Sequence, residues 1–448
     1  MDMSFVIRRE RELAVPGAEV LRRAFSDEQV RTTLQGSGKR RRIYDPVTTF
    51  GIWLGQVLST DHSCRNALAH ARSAGLVPAK ASVHTGAYCQ ARDRLDEASL
   101  RSIATGLGKT LSDSEKTEDR WRGRRVVIPD GSSITLPDTP ANQAAYPQSS
   151  QQKPGCGFPL MYLCTLISLA SGGMLDFETG SSSDNELSLW RRLWRWLMQG
   201  DIVLGDGKYA SYGDIALLRS RGVDTVARLR ARKTDFGKGT IIALNDHIVQ
   251  WIRPRKLPVW LKDKALPETM LVRELRFRVE IPGFRPDLVI LATTLLDAIE
   301  YPHADIAELF FRRWQVELRL RDIKTYLGME ALRTKTPARA RKELWMFLAA
   351  YNVLHSLMNT AALKAQTAVT RISFQGCRQR LLAAAARNCS AGKFPSAYRK
   401  LIRDIAKDGV PYRPFRVEPR AIKRRKKAYD LINQPRFVLQ QKLTGVAS

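Results

Sequence analysis

The chain has 448 residues, 44% of them hydrophobic, which is enough for more than one apolar core and unlike the composition of a disordered protein. Its 73 Lys and Arg against 44 Asp and Glu leave a net charge of +29, which points to a polyanionic partner. Nucleic acid comes before a membrane surface, because no basic amphipathic anchor and no lipidation pattern is found. Six cysteines (Cys64, Cys89, Cys156, Cys164, Cys377, Cys389) show no C-x-x-C pairing and no histidines at zinc-finger spacing, so buried, reduced thiols are expected.

Residues 1 to about 45 are polar and end in Gly38-Lys39-Arg40-Arg41-Arg42, either a DNA-contacting arm or a solvated basic loop. The first residues are charged where a signal peptide needs an apolar core, so the chain is expected in the cytoplasm. Asp45-Pro46 is an N-cap and N1 pair opening a helix with Phe50, Trp53, Leu54, Val57 and Leu58 at core spacing. Asp61 is placed to cap a second helix, and a third runs through Tyr88, Ala91 and Leu95. In a basic chain this small helical domain reads either as a helix-turn-helix-like DNA reader or as a scaffold packed on the core. The polar segment Ser112–Asp119 reads as a linker.

The texture then changes to strands. Arg125–Asp130 and Ser133–Leu136 flank an expected turn at Gly131, and Leu160–Ala170 and Met174–Thr179 are joined by Ser171-Gly172-Gly173. Ser183-x-x-Glu186 has the spacing of a capping box before a helix through Leu189, Trp190, Leu193, Trp194 and Leu197, which makes Glu186 a capping residue rather than a metal ligand. A strand from Asp201 to Asp206, a helix ending at Gly222 and a strand Val223–Leu229 follow. Alternating runs between about 231 and 287 suggest an inserted β subdomain, after which Leu288–Leu295 returns to the core.

From Asp305 to Leu327 the sequence predicts one long helix stopped at Gly328. Phe310, Arg313, Glu317, Arg321 and Lys324 fall at i, i+3, i+7, i+11 and i+14 and share one face, while Leu309, Val316, Leu320 and Ile323 mark an apolar one. Beyond Pro337 the chain reads as helical to about 408. The apolar stretch Leu344–Met358 is too short for a membrane span and contains Asn352 and His355, so a buried helix is expected. Lys423-Arg424-Arg425-Lys426-Lys427 is either a solvated tail or a nucleic-acid contact.

Asp130 and Asp206 each end a short apolar run, and strand-end carboxylates joined by a helical one, Glu317, suit hard divalent cations. The competing reading of the helix is a solvated face laced with ion pairs. There is no G-x-S-x-G elbow, and Gly205-Asp206-Gly207-Lys208 lacks the spacing of a phosphate-binding loop, so no nucleotide cofactor is expected.

The spacing Phe310-x-x-Arg313-x-x-x-Glu317-x-x-x-x-x-x-Lys324 resembles the Y-R-E-K signature of bacterial DDE-type transposases of the insertion-sequence-four family. Val127–Ser133, Leu204–Tyr209 and Leu332–Pro337 resemble further segments of that family in the right order, and the likeness covers roughly residues 45 to 435. Phe310 departs from it, since the family usually has Tyr there. The resemblance implies an α/β fold: a ribonuclease-H-like catalytic core over 119–336 with a β insertion at about 231–287, a helical DNA-binding domain over 1–118, and a helical C-terminal region with a basic tail over 337–448. It implies that Asp130, Asp206 and Glu317 are catalytic and hold two Mg²⁺ ions, with Mn²⁺ as a substitute. DNA contacts are implied for Phe310, Arg313, Arg321 and Lys324, joined by Lys39, Arg40, Arg41, Arg42, Lys423, Arg424 and Arg425. The implied reaction is cut-and-paste cleavage at transposon ends with strand transfer into target DNA. Implied partners are double-stranded inverted repeats and target DNA, bound by a homodimer in the bacterial nucleoid, with no membrane. The alternatives are a ribonuclease-H-like nuclease that cuts without joining, and a transposase-derived DNA-binding regulator.

Overall fold

Local rules account for most of the secondary structure in the computed structural model, which describes residues 32–34, 42–78, 81–229, 234–279, 287–330, 332–385, 394–411, 433–435, 438–439 and 441–442. Asp45 opens α1 (Pro46–Leu58), its carboxylate accepting from the Thr48 N–H at 2.9 Å while Pro46 takes the first turn. α2 (Cys64–Ser73) is capped by Ser63 and not by Asp61, which accepts instead from the Ser63 N–H at 2.8 Å and so orients the capping residue. α3 (Gly86–Arg94) and α4 (Glu97–Asp113, capped by Asp96) complete the N-terminal helices.

β1 (Val126–Thr135) runs straight through Gly131, where a turn was expected. The glycine serves packing there, because its missing side chain leaves room for the Glu186 carboxyl. After α5 (Pro140–Ala145), strands β2 (Leu160–Ser168) and β3 (Met174–Gly180) are joined through Gly172, whose φ of +69° lets the chain reverse. α6 (Glu186–Leu193), β4 (Ile202–Gly205), α7 (Tyr212–Ser220) and β5 (Asp224–Arg228) follow. Then come β6 (Thr240–Ala243), β7 (Asp246–Ile252), β8 (Thr269–Val279) and β9 (Asp287–Thr293).

These strands form one nine-stranded sheet in the order β3-β2-β1-β4-β5-β9-β8-β7-β6. β1, β4 and β5 are parallel neighbours, and from β5 onward every pairing is antiparallel. The first five strands, in the order 3-2-1-4-5, make a ribonuclease-H-like core. The segment expected as an inserted β subdomain does not close on itself. β9 is hydrogen-bonded on both sides, to β5 through Val226↔Thr293 and to β8 through Phe277↔Val289, so the insertion widens the core sheet.

The long helix expected from Asp305 is three pieces: α8 (His303–Arg312), α9 (Trp314–Arg321) and a π turn, Asp322–Tyr326. At the first joint the Arg313 N–H donates to Phe310 O and the Val316 N–H to Arg313 O, a local tightening to three-residue bonds. At the second the Leu327 N–H reaches back to Asp322 O, which inserts an extra residue into the turn. The apolar face survives, with Leu309, Val316, Leu320 and Ile323 all buried, and Gly328, at φ +79°, ends the run as expected. α10 (Pro337–Ala365), α11 (Phe374–Ala385) and α12 (Phe394–Ala406) close the described chain.

The chain forms two compact units: residues 1–119, 167–177 and 317–412, and residues 120–166, 178–316 and 413–448. In the first, α10 is a central buried helix packed on α1, α4 and α12. Its buried Asn352 donates to Ala104 O at 3.1 Å and Met174 O at 2.9 Å and accepts from the Met174 N–H at 3.0 Å, so the polar group is fully engaged. Among the described residues no helix is long and apolar enough to cross a membrane. The second unit holds most of the sheet. There a buried pair, Arg273 with Asp246 at 2.5 and 2.8 Å, lies across β7 and β8, and Arg273 also donates to Tyr301 O at 2.7 Å.

Candidate active site

The register of two parallel strands decides where the acids fall. Val126 lies opposite Ile202 and Val127 opposite Val203, an offset of 76, and the same offset carries Asp130 to Asp206 (206 − 130 = 76). Asp130, within β1, and Asp206, the residue after β4, follow that offset, and the Asp206 charge is near enough to help raise the Asp130 carboxyl. The Asp206 carboxylate is fixed by the Lys208 N–H at 2.7 Å, and its carbonyl accepts from the Tyr209 N–H at 3.1 Å, so the loop after β4 folds back under it. The carbonyl of Asp130 accepts from the Thr165 hydroxyl of β2 at 3.2 Å.

Burial pushes the Asp130 carboxyl up to about 6, with Glu186 and Asp206 adding to the rise and Arg313 and the Gly131 N–H opposing it. A carboxyl raised in this way is of a kind that a nearby divalent cation stabilises in its charged form. Among the described residues, however, no group of three or more His, Cys, Asp or Glu is already gathered tightly enough to hold a metal.

Glu186 is the residue that sequence reasoning misplaced. The cap of α6 is Asn185, whose side chain accepts from the Ser188 N–H at 2.7 Å, and no capping box forms. The Glu186 carboxylate accepts instead from the Tyr209 hydroxyl at 2.6 Å and from the Lys208 ammonium. Tyr209 is buried, edge-on to Trp190, with its hydroxyl pushed far up by burial and by the neighbouring Cys164 and Glu186. The one sequence signal for this was that Asn185, directly before Glu186, is itself a strong capping residue.

Of the expected DNA-contacting side chains, Arg313 stands close enough to Asp130 to act on its charge, with its guanidinium 5.7 Å from the Phe310 ring centre. Phe310 joins an aromatic cluster with Phe277, ring centres 6.4 Å apart. Glu317 lies half-buried in the first turn of α9 and opens the last stretch of the first unit. Arg321 is exposed, with its guanidinium 5.4 Å from the Tyr326 ring centre, and Lys324 lies in the π turn. Arg42 is exposed, whereas Lys39, Arg40, Arg41, Lys423, Arg424 and Arg425 lie outside the described residues.

Residues 121–353, just over half of the chain, match the family described as transposase DDE domain. The transposase InsG for insertion sequence element IS4 of Escherichia coli (strain K12) is 26% identical over 356 residues, 77% of each chain. A solved piggyBac transposase synaptic complex with hairpin DNA aligns at a TM-score of 0.44 and 11% identity over 89% of this chain and 86% of that one, too remote to carry any residue across. With paired strand-end aspartates followed by the Arg313, Glu317 and Lys324 spacing, and with a match over half its length, the chain belongs to the DDE transposase family, of the insertion-sequence-four type.

Proposed function

We propose that this transposase cuts at the ends of its element and joins them to target DNA by cut and paste, with Asp130, Asp206 and Glu317 holding two Mg²⁺ ions. The observation that carries the reading is that, in a chain of this family, Asp130 lies in β1 and Asp206 directly follows the neighbouring parallel strand β4, with the Asp206 charge acting on the Asp130 carboxyl. When bound, the ions supply an activated oxygen nucleophile and steady the leaving oxygen of the phosphodiester. The protein's part is to hold the acids in register and to exclude bulk water on the sheet side, where Val127, Ile128, Val203 and Leu204 are buried. Arg313, beside Asp130, supplies a planar cation for a phosphate of the bound end, and Lys324, Arg321 and Phe310 extend that contact.

In this reading residues 1–118 recognise the end sequence, and the two basic runs, Lys39–Arg42 and Lys423–Arg425, add phosphate contacts. Two chains hold two ends, because both must be present for joining, and the protein acts in the nucleoid. Asp130→Asn, Asp206→Asn and Glu317→Gln keep size while removing the charge a divalent ion needs. Each is expected to lose nicking and strand joining together, by at least about 100-fold (~2.7 kcal/mol of barrier), while end binding in a gel-shift assay survives. Near wild-type cleavage in Mg²⁺ by any one of them would remove that residue from the metal site.

A further inference from the structure

Two cysteines of the N-terminal helices face each other. Cys64 is the first residue of α2 and Cys89 lies in α3, both are half-buried, and the Cys89 thiol donates to Cys64 Sγ at 3.8 Å. That distance is van der Waals contact between sulfurs, and a disulfide needs them to close to about 2.05 Å. Cys64 stands at a helix end, where the backbone gives most easily. Two further donors converge on the same sulfur, Arg92 Nη1 at 3.4 Å and Gln56 Nε2 at 3.7 Å. Both are held from elsewhere. The Arg92 guanidinium lies over the Trp53 ring, 3.9 Å from its centre, and Gln56 Oε1 accepts from the buried Tyr88 hydroxyl at 2.8 Å. Cys64 Sγ is therefore the acceptor of all three contacts, one of them from a guanidinium. Burial and the neighbouring Cys64 push the Cys89 thiol up, so Cys89 keeps its proton and is the donor of the pair. An electron-rich sulfur beside a cation, within reach of solvent and in contact with a second thiol, has the surroundings of a peroxide-sensitive cysteine with its resolving partner.

We propose that Cys64 and Cys89 form a redox-sensitive modification site, in which a peroxide oxidises the pair to a reversible disulfide. The Cys64 sulfur attacks one peroxide oxygen and the O–O bond breaks, which leaves a sulfenic acid on Cys64 and, with the thiol proton, one water. The Cys89 sulfur then attacks Cys64 Sγ, the S–S bond forms, and the hydroxyl leaves with the Cys89 proton as a second water. The two thiols lose two electrons and two protons, and hydrogen peroxide is reduced to two waters. The bond ties α2 to α3 across 25 positions, and a thiol reductant restores the pair.

Treatment of the reduced full-length protein with hydrogen peroxide, followed by alkylation of the remaining thiols and peptide mapping by mass spectrometry, tests it. A linked Cys64–Cys89 peptide is expected as the main product and is expected to disappear on treatment with dithiothreitol, while the fully buried Cys164 and Cys377 stay reduced. In Cys89→Ser, Cys64 is expected to accumulate as a sulfenic acid that dimedone traps. In Cys64→Ser, Cys89 is expected to react at least about tenfold more slowly than Cys64 does in Cys89→Ser. The wild-type map decides the bond without any substitution. If Cys64 and Cys89 are both still free when the half-buried Cys156 is already oxidised, the proposal is overturned, and a bond found only between two chains overturns it as well. Equal reaction rates in the two serine variants would overturn the assignment of Cys64 as the attacking sulfur.

Discussion

At the scale of single residues, burial moves several ionisable groups away from their ordinary titration range. Asp322, in the π turn, is held at about 6 by burial, against the opposing pull of Arg319 and Arg321. Its carboxyl is therefore easier to protonate in the folded than in the unfolded chain, where the ordinary value is near 3.8. The folded state binds the extra proton between those two values, so this group's contribution to stability is fully present below about pH 4 and is lost as pH rises to about 6. Asp322→Asn removes that dependence. Relative to wild type, the variant is expected to gain roughly 2–3 kcal/mol between pH 4 and pH 7, measured by urea unfolding at both values. Parallel stability curves for the two proteins would show that Asp322 is compensated by partners in the fold.

At the scale of elements, pairings between strands distant in the chain hold the sheet together. The widened sheet carries its own test, because β7 and β8 are clamped by Arg273 and Asp246, both almost fully buried. Removing one partner strands the other charge in an apolar interior, which costs about 3–5 kcal/mol, whereas replacing the pair with apolar side chains of similar volume costs far less. Asp246→Ala is expected to lower stability by that amount, and Arg273→Met with Asp246→Leu to recover most of it in thermal unfolding. Because β9 pairs with both β8 and β5, the loss is also expected to reach β5, read as faster amide exchange of Val226 and Ala227. Fast exchange confined to β6 and β7 would mean that the added strands fold independently of the core.

At the scale of the whole molecule, a net charge of +29 sets the terms of DNA binding. If the bound chain neutralises about 6–10 phosphates, affinity for any duplex is expected to drop by roughly 10³ to 10⁵ between 50 and 200 mM salt. Fluorescence anisotropy with a labelled duplex checks this, and a flat dependence would show that the basic surface faces something other than phosphate.

The sequence by itself determined the family motifs and most of the elements, because those are local. Apolar runs ending in Asp130 and Asp206, the Asp45-Pro46 cap, the buried face of Leu309, Val316, Leu320 and Ile323, and the stop at Gly328 depend on neighbours a few residues away. What was misread depended on contacts between segments distant in the chain. Gly131 looked like a turn because a glycine's cause is not visible without its neighbour, and that neighbour is a carboxyl 55 positions on (186 − 131 = 55). Glu186 looked like a capping residue because the spacing is right for one, yet Asn185 took the cap and Tyr209 took the carboxylate. The π turn left no periodic trace, since an inserted residue is stabilised by what surrounds it. Residue types and spacings announce which groups are available; only the tertiary structure decided which of them meet, because a close approach or a charge pair is set by a partner that sequence distance does not reveal.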